Sequence, residues 1–331
     1  MKNEVNNDSE QQTAATFRQR LEYGLLLGVI AMARRLGPDR VSALGARVMR
    51  VIGPKLRQNR RAMQNLAIAF PDKSEDERRQ IAAAMWANMG RTFAETLVLE
   101  QLISDPGRID IPDLETFRAT ATSSKPLIGC TLHFGNWEIA IFPMRIYGRD
   151  ACGVYKPIDN PLIDAWLKKT RMLLFPAGML GKGERDESNT GQRTARLLID
   201  KVRAGGVLGF VCDHFDKRGE PIPFMGRVSR FTAAPAMIGR HVGSEFFVGR
   251  TVRLGDACRF RIDIKYLPLP QTNDKKGDVL ALTETIFATY EDWIREYPEQ
   301  WMWWNTRWVQ TEADTGQAKT ELAAAAPAGQ G

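Results

Sequence analysis

Cysteine and histidine are scarce in this chain of 331 residues, with four of the first and three of the second. Cys130, Cys152, Cys212 and Cys258 lack the spacing of a disulfide framework or a zinc site. Several fall in apolar runs, which predicts reduced, buried thiols. Three histidines (His133, His214, His241) are too few for a histidine-rich metal centre. Long hydrophobic runs are missing too. The uncharged stretch at 23–33 ends at Arg34-Arg35 and falls well short of the ~20 residues of a membrane-spanning helix. No glycine-rich phosphate loop follows the first strong strand signal, and there is no Gly-x-Ser-x-Gly elbow. These absences exclude dinucleotide-binding and serine-hydrolase readings. The polar, acidic residues 1–16 lack the basic start of a secretory signal and read as a disordered amino terminus, 311–331 as a low-complexity tail.

Charge of one sign is abundant. The chain carries a net +7, with 44% hydrophobic and 26% charged residues, an ordinary globular balance. Both ends are acidic, so the excess lies in the body. Segment 17–61 holds eleven basic residues against only Glu22 and Asp39. Basic residues beside apolar helices suit an anionic membrane surface, each contributing about 1 kcal/mol close to it. Nucleic acid is the competing partner, disfavoured because no nucleic-acid-binding motif or stacking aromatics accompany the charge. An interfacial helix and a helix packed on the core both remain compatible with 23–33.

The chemistry concentrates at 127–138. A buried strand is predicted over 127–132, followed by His133-Phe134-Gly135-Asn136 and then a helix beginning at Trp137. Strand, turn and helix of this kind place residues at the carboxyl edge of an α/β sheet, where ligands bind and helix amides favour negative charge. Asn136 suits the N-cap and Glu138 the first turn. His133 is the candidate general base, since an ordinary imidazole titrates near ~6.5. Glu138, five residues on, is expected to hold its tautomer and stabilise the imidazolium. The plain alternative is a core histidine beside a surface glutamate.

His-Phe-Gly-Asn-Trp-Glu resembles the H-x4-E/D motif of the lysophospholipid-type acyltransferases, specifically the late lipid A (lauroyl/myristoyl) acyltransferase family. Three further blocks resemble that family in the same order: Asn65-Leu66-Ala67-Ile68-Ala69-Phe70-Pro71, Tyr155-Lys156-Pro157-Ile158-Asp159-Asn160-Pro161, and Tyr297-Pro298-Glu299-Gln300-Trp301-Met302-Trp303 with Arg307-Trp308. The resemblance spans roughly 20–310. It implies transfer of a fatty acyl chain from an acyl carrier protein thioester to a 3-hydroxyacyl hydroxyl of a lipid A precursor, without a cofactor, at the cytoplasmic face of the inner membrane. Acyl-CoA as donor, another glycolipid or aminolipid as acceptor, and a catalytically silent membrane-bound partner protein are the alternatives.

The coarse organisation is a helical, membrane-associated extension at 17–120 and an α/β acyltransferase core at 121–310, with a central mixed sheet flanked by helices. Ser74 and Glu77 form a capping-box signature, and the helix they open puts Ile81, Met85, Trp86, Met89 and Phe93 at core spacing. Strands are expected at 151–155, 207–212, 245–251 and 259–266, helices at 161–174, 190–204, 231–242 and 279–296, and a mobile loop at 181–191. The candidate substrate contacts are Asn136, Lys156, Arg171, Asp213, Arg227 and Arg230. Lys156 and Arg171 are cations for phosphate or for an oxyanion, and the resemblance singles out Arg171 over Lys168 and Lys169. The family typically has Asp-Gln where this chain has Asp213-His214, which leaves the role of His214 open. Asp213 is read as binding the acceptor or ordering the site, and a metal reading of Asp213-His214-x-Asp216 is weak. No metal ligand set is assigned. The tryptophans at 301, 303, 304 and 308 are read as core.

Overall fold

A computed structural model describes residues 15–181 and 190–308. The acidic amino terminus through residue 14, most of the expected loop at 181–191 and the tail beyond 308 lie outside the described residues.

Helices come first: α1 (Phe17–Leu36), α2 (Pro38–Ile52), α3 (Arg57–Ala69), α4 (Glu75–Thr96) and α5 (Leu99–Ile103). The capping box opens α4 as expected, with Ser74 Oγ accepting from the Glu77 amide at 3.2 Å and Glu77 Oε2 accepting from the Ser74 amide at 2.7 Å. Met85, Trp86 and Met89 of α4 are buried, whereas Phe93, expected in the core, is 53% exposed. The helical segment is interrupted by a two-residue strand, β1 (Ile109–Asp110), before α6 (Leu114–Ala121).

Strands and helices then alternate: β2 (Leu127–Thr131), α7 (Phe142–Ile146), β3 (Ala151–Tyr155), α8 (Pro161–Arg171), β4 (Met179–Gly181), α9 (Thr190–Arg203) and β5 (Val207–Val211). A hairpin, β6 (Phe215–Phe224) and β7 (Arg227–Phe231), leads to α10 (Ala234–Val242), β8 (Glu245–Arg253), β9 (Phe260–Tyr266) and α11 (Lys275–Glu296). The seven-stranded sheet has the order β1-β9-β8-β2-β5-β3-β4, and only β8 with β9 is antiparallel. Central strands covered on both faces read as unbroken apolar runs, which is why β2 and β5 stood out in the sequence.

Because strand side chains alternate, β2 feeds two cores. Ile128 and Cys130 join the cluster built with α3, α4, α10 and α11, while Leu127 joins the cluster that includes Phe117, Ile139 and Phe247. All four cysteines are free and buried. Trp301 and Trp303 are fully buried, as read from the sequence. Among the described residues, no helix is long and apolar enough to cross a membrane.

Candidate active site

β2 and β5 are parallel neighbours whose last residues, Thr131 and Val211, are register partners. His133 and Asp213 each lie two residues beyond that pair, so the topology brings them together. Asp213 Oδ1 lies 2.6 Å from His133 Nδ1, and Oδ2 accepts from the His133 amide at 3.0 Å and from Trp301 Nε1 at 2.9 Å. Asp213 is fully buried. Burial alone would raise its pKa, but the charge and hydrogen bond of His133, the charge of His214 and the Trp301 indole outweigh it and hold the carboxyl down to about 2. An ionised Asp213 keeps the proton on Nδ1 and leaves Nε2 as the basic nitrogen. The Asn305 amide also lies 2.9 Å from Nδ1. The imidazole is bracketed edge-on by Trp137 and by His214, at ring-centroid distances of 5.1 and 4.7 Å.

This corrects the sequence expectation for Glu138. Its carboxylate is gripped by Arg171, with Nε donating to Oε2 at 2.8 Å and Nη2 to Oε1 at 2.5 Å. The physical reason is local. Gly135 adopts φ +55°, and the chain then makes a single 3-10 turn, Trp137–Ile139, instead of the expected helix; α7 begins only at Phe142. That turn points Glu138 toward the carboxyl end of α8, where a guanidinium offers two parallel donors. The Tyr155–Pro161 block positions this end of the site. Tyr155 and the Ile158 amide both donate to Asp164, while Asn160 caps α8 and donates to Glu22 of α1.

Asn136 is the expected cap, accepting from the Glu138 amide at 3.2 Å, but it is fully buried and is not a substrate contact. Its amide donates to Glu95 Oε2 at 2.8 Å. Glu95 is itself held by Arg253 through two hydrogen bonds and by Ser42 Oγ at 2.6 Å. Burial would raise the Glu95 pKa, yet Arg253 and these hydrogen bonds hold it below the ordinary carboxylate range. Asn88 and Thr92 of α4 donate to the Gly135 carbonyl, at 3.1 and 2.8 Å. The carboxyl-terminal segment closes the cradle: the Gln300 carbonyl accepts from the Gly135 amide and the His133 carbonyl from the Met302 amide. Asn65 in turn donates to the carbonyls of Trp303 and Thr306. The first and last family-like blocks therefore act on one turn from outside it.

The dyad opens on a cavity of about 1050 Å³, lined by His133, Glu138, Lys156, Arg171 and His214 together with the largely apolar interior of the sheet. Lys156 and Arg171 thus both line the cavity. Asp213, read as binding the acceptor or ordering the site, is fully buried beneath His133, outside the cavity wall, and its contacts are those of the ordering alternative. Arg227 and Arg230 lie on the β6–β7 hairpin and are not part of the cavity wall, and Arg230 donates back to the Gly219 carbonyl of its own hairpin at 3.0 Å. Lys217 and Arg218 of the same hairpin line the cavity in their place. Cys130 also touches it, but burial and its neighbour Cys212 push the thiol pKa well up, so it is a poor nucleophile. Among the described residues, no group of three His, Cys, Asp or Glu side chains is placed to hold a metal ion.

A family model described as bacterial lipid A biosynthesis acyltransferase matches residues 11–310. The chain is 26% identical to the lipid A biosynthesis lauroyltransferase of Escherichia coli K12, over 74% of this chain and 76% of that protein. It is 25% identical to the myristoyltransferase of the same strain, over 87% of each. It is also 21% identical to the phosphatidylinositol mannoside acyltransferase of Mycolicibacterium smegmatis, over 77% of this chain and 81% of that protein.

Proposed function

The chain belongs to the bacterial lipid A biosynthesis acyltransferase family, and from that premise we propose that it moves a fatty acyl chain from an acyl carrier protein thioester to a 3-hydroxyacyl hydroxyl of a lipid A precursor, with His133 as general base. The chain is an acyltransferase acting on lipid A or related lipids. The observation that carries the finer reading is the His133–Asp213 pair at the mouth of a deep, mostly apolar cavity.

The chemistry follows from the geometry. Asp213 holds the Nδ1 proton, so Nε2 takes the proton of the acceptor hydroxyl as its oxygen attacks the thioester carbonyl. The tetrahedral intermediate collapses to an ester and expels a thiolate, which recovers the proton from the imidazolium. Arg171 adds positive charge at the cavity wall, tempered by Glu138, to stabilise the oxyanion. Lys156, Lys217 and Arg218 suit the phosphates of a lipid A precursor or an acidic carrier protein.

Membrane attachment belongs to the same proposal. On α1, Phe17, Leu21, Leu25 and Met32 are more than half exposed, as is Val51 on α2, and Arg18, Arg20, Arg34 and Arg35 stand at the two ends of α1. Such a surface suits an interfacial helix pair on anionic lipid at the cytoplasmic face of the inner membrane. A second acceptor class, another membrane glycolipid, is favoured by the similarity to the mannoside acyltransferase.

The test is an acyl-transfer assay with carrier-protein and CoA thioesters as donors, a lipid A precursor and a mannoside glycolipid as acceptors, and mass spectrometry as readout. One added chain on the lipid A precursor, lost in His133→Ala, is the expected result. Transfer only to the mannoside glycolipid overturns the acceptor, and undiminished transfer by a folded His133→Ala overturns the base.

A further inference from the structure

Two imidazoles stand together in this site, and the reaction described above uses one of them. The Cys212 amide donates to the Thr131 carbonyl at 3.1 Å, so the chains leaving β2 and β5 stay paired one step beyond the strands. Successive residues of an extended chain face opposite sides. Asp213 faces inward and is fully buried, and His214 therefore faces out, where it is exposed. β6 begins at the next residue, Phe215, which pairs with Phe231 of β7. His214 is thus fixed between two strand ends.

The ring of His214 meets the ring of His133 edge to face, with centroids 4.7 Å apart and planes at 72°. Both residues line the same cavity. His133 spends Nδ1 on Asp213 and Asn305, which leaves Nε2 as its working nitrogen. An acceptor hydroxyl bound at Nε2, at about 2.8 Å, has the thioester carbonyl directly beyond it. The group needed there is an N–H donor, because the carbonyl oxygen becomes an oxyanion as the new bond forms. Arg171 spends Nε and Nη2 on Glu138, which tempers its charge. His214 is the cavity donor in ring contact with the base, and an imidazole keeps an N–H in both its neutral and its charged state.

We propose that His214 is a catalytic residue that donates to the oxyanion of the tetrahedral intermediate. The inference rests on the acyl-transfer reading above and deepens it. The acceptor hydroxyl gives its proton to His133 Nε2, its oxygen bonds the thioester carbon, and the π pair of the carbonyl moves onto the carbonyl oxygen. The His214 N–H strengthens its hydrogen bond to that oxygen as the charge grows. On collapse the pair returns, the carbon–sulfur bond breaks, and the departing thiolate takes the proton from His133. His214 ends the cycle with the proton it began with. A side chain in this role is replaceable by another N–H donor and not by another ring. Ring packing alone gives the opposite order, because phenylalanine keeps an edge-to-face contact with His133 and glutamine loses it.

The experiment compares His214→Gln, His214→Phe and His214→Ala with wild type in the full chain. Because His214 is exposed, all three are expected to fold, which circular dichroism and thermal unfolding check. Two rates are measured. One is acyl transfer to a lipid A precursor; the other is hydrolysis of the donor thioester without acceptor, in which water replaces the hydroxyl and the same oxyanion forms. In both, kcat is expected to fall about 10²–10³-fold for His214→Phe and His214→Ala with KM little changed, while His214→Gln stays within about tenfold of wild type. His214→Phe at the wild-type rate, or His214→Gln as slow as His214→Ala, overturns the assignment, as does a loss confined to KM. The two readings fail separately. Thioester hydrolysis that follows the expected order, with no chain added to any lipid, overturns transfer and keeps His214 as the donor. Wild type that does neither reaction overturns both.

Discussion

Asp213 shows what a single carboxylate does when it is taken fully out of water and given three donors. Its pKa lies near 2 in the fold against 3.8 for the ordinary group. The group therefore contributes stability that is fully present above pH 4 and is lost as pH falls through 4 toward 2, about 2 kcal/mol in all. Urea unfolding between pH 5 and 2 is expected to show this loss in wild type and a shallower one in Asp213→Asn. Activity is a sharper readout. Asp213→Asn replaces one accepting oxygen with an NH2 donor and removes the charge, so the carboxylate no longer fixes the His133 tautomer, and a fall in kcat of about 10²–10⁴-fold is expected with the fold retained. Glu138→Gln acts differently, because it loosens Arg171 without touching His133. A smaller loss of kcat and a weaker grip on substrate are expected, read from kcat and KM separately.

At the scale of elements, the His133–Asn136 turn is held by a buried charge pair that is distant in sequence. Glu95 and Arg253 are 0% and 4% exposed at their side chains, and Glu95 carries Asn136 on its second oxygen. Removing one partner strands the other charge, so Glu95→Ala is expected to cost about 3–5 kcal/mol, measured by chemical denaturation. Much of the surrounding fold was legible beforehand. The apolar runs at β2, β3 and β5 and the capping box of α4 all fell within a residue or two of their observed limits. Three things were not legible. The β6–β7 hairpin was hidden because Pro221 and Pro223 weaken any strand signal. The helix expected from Trp137 is a single 3-10 turn, since Gly135 and the fixed Asn136 cap leave it no room. The His133–Asp213 pair depends on the register of two strands eighty residues apart, which no local pattern encodes; only their matching offset from two apolar runs hinted at it. Without that register, Glu138 was the nearer carboxylate in sequence and the wrong one in space.

On the scale of the whole molecule, the sheet, the helical layer and the carboxyl-terminal segment converge on one end of β2. Asn65, Asn160 and Gln300, in blocks that resemble the family pattern, spend their side chains on backbone or on other elements. The resemblance was therefore reporting scaffold as much as chemistry. The outer surface of the helical layer presents apolar side chains and arginines, with a groove of about 260 Å³ between α1, α2 and α4. Sedimentation with anionic vesicles is expected to carry the protein down, less so at high salt. Leu21→Glu with Leu25→Glu is expected to weaken that partition at least about tenfold, since each exposed leucine that enters lipid contributes about 1.5–3 kcal/mol. Salt-insensitive partition, or partition unchanged in the double variant, would place the contact elsewhere.

The central claim is that His133, oriented by Asp213, carries acyl transfer. The most direct measurement is single-turnover transfer of a carrier-protein-bound acyl chain to a lipid A precursor by wild type, His133→Ala and Asp213→Asn, with folding checked in parallel. The account predicts transfer by wild type, none above background for His133→Ala, and a rate lowered by about 10²–10⁴-fold for Asp213→Asn. An Asp213→Asn variant that folds and transfers at the wild-type rate would contradict it.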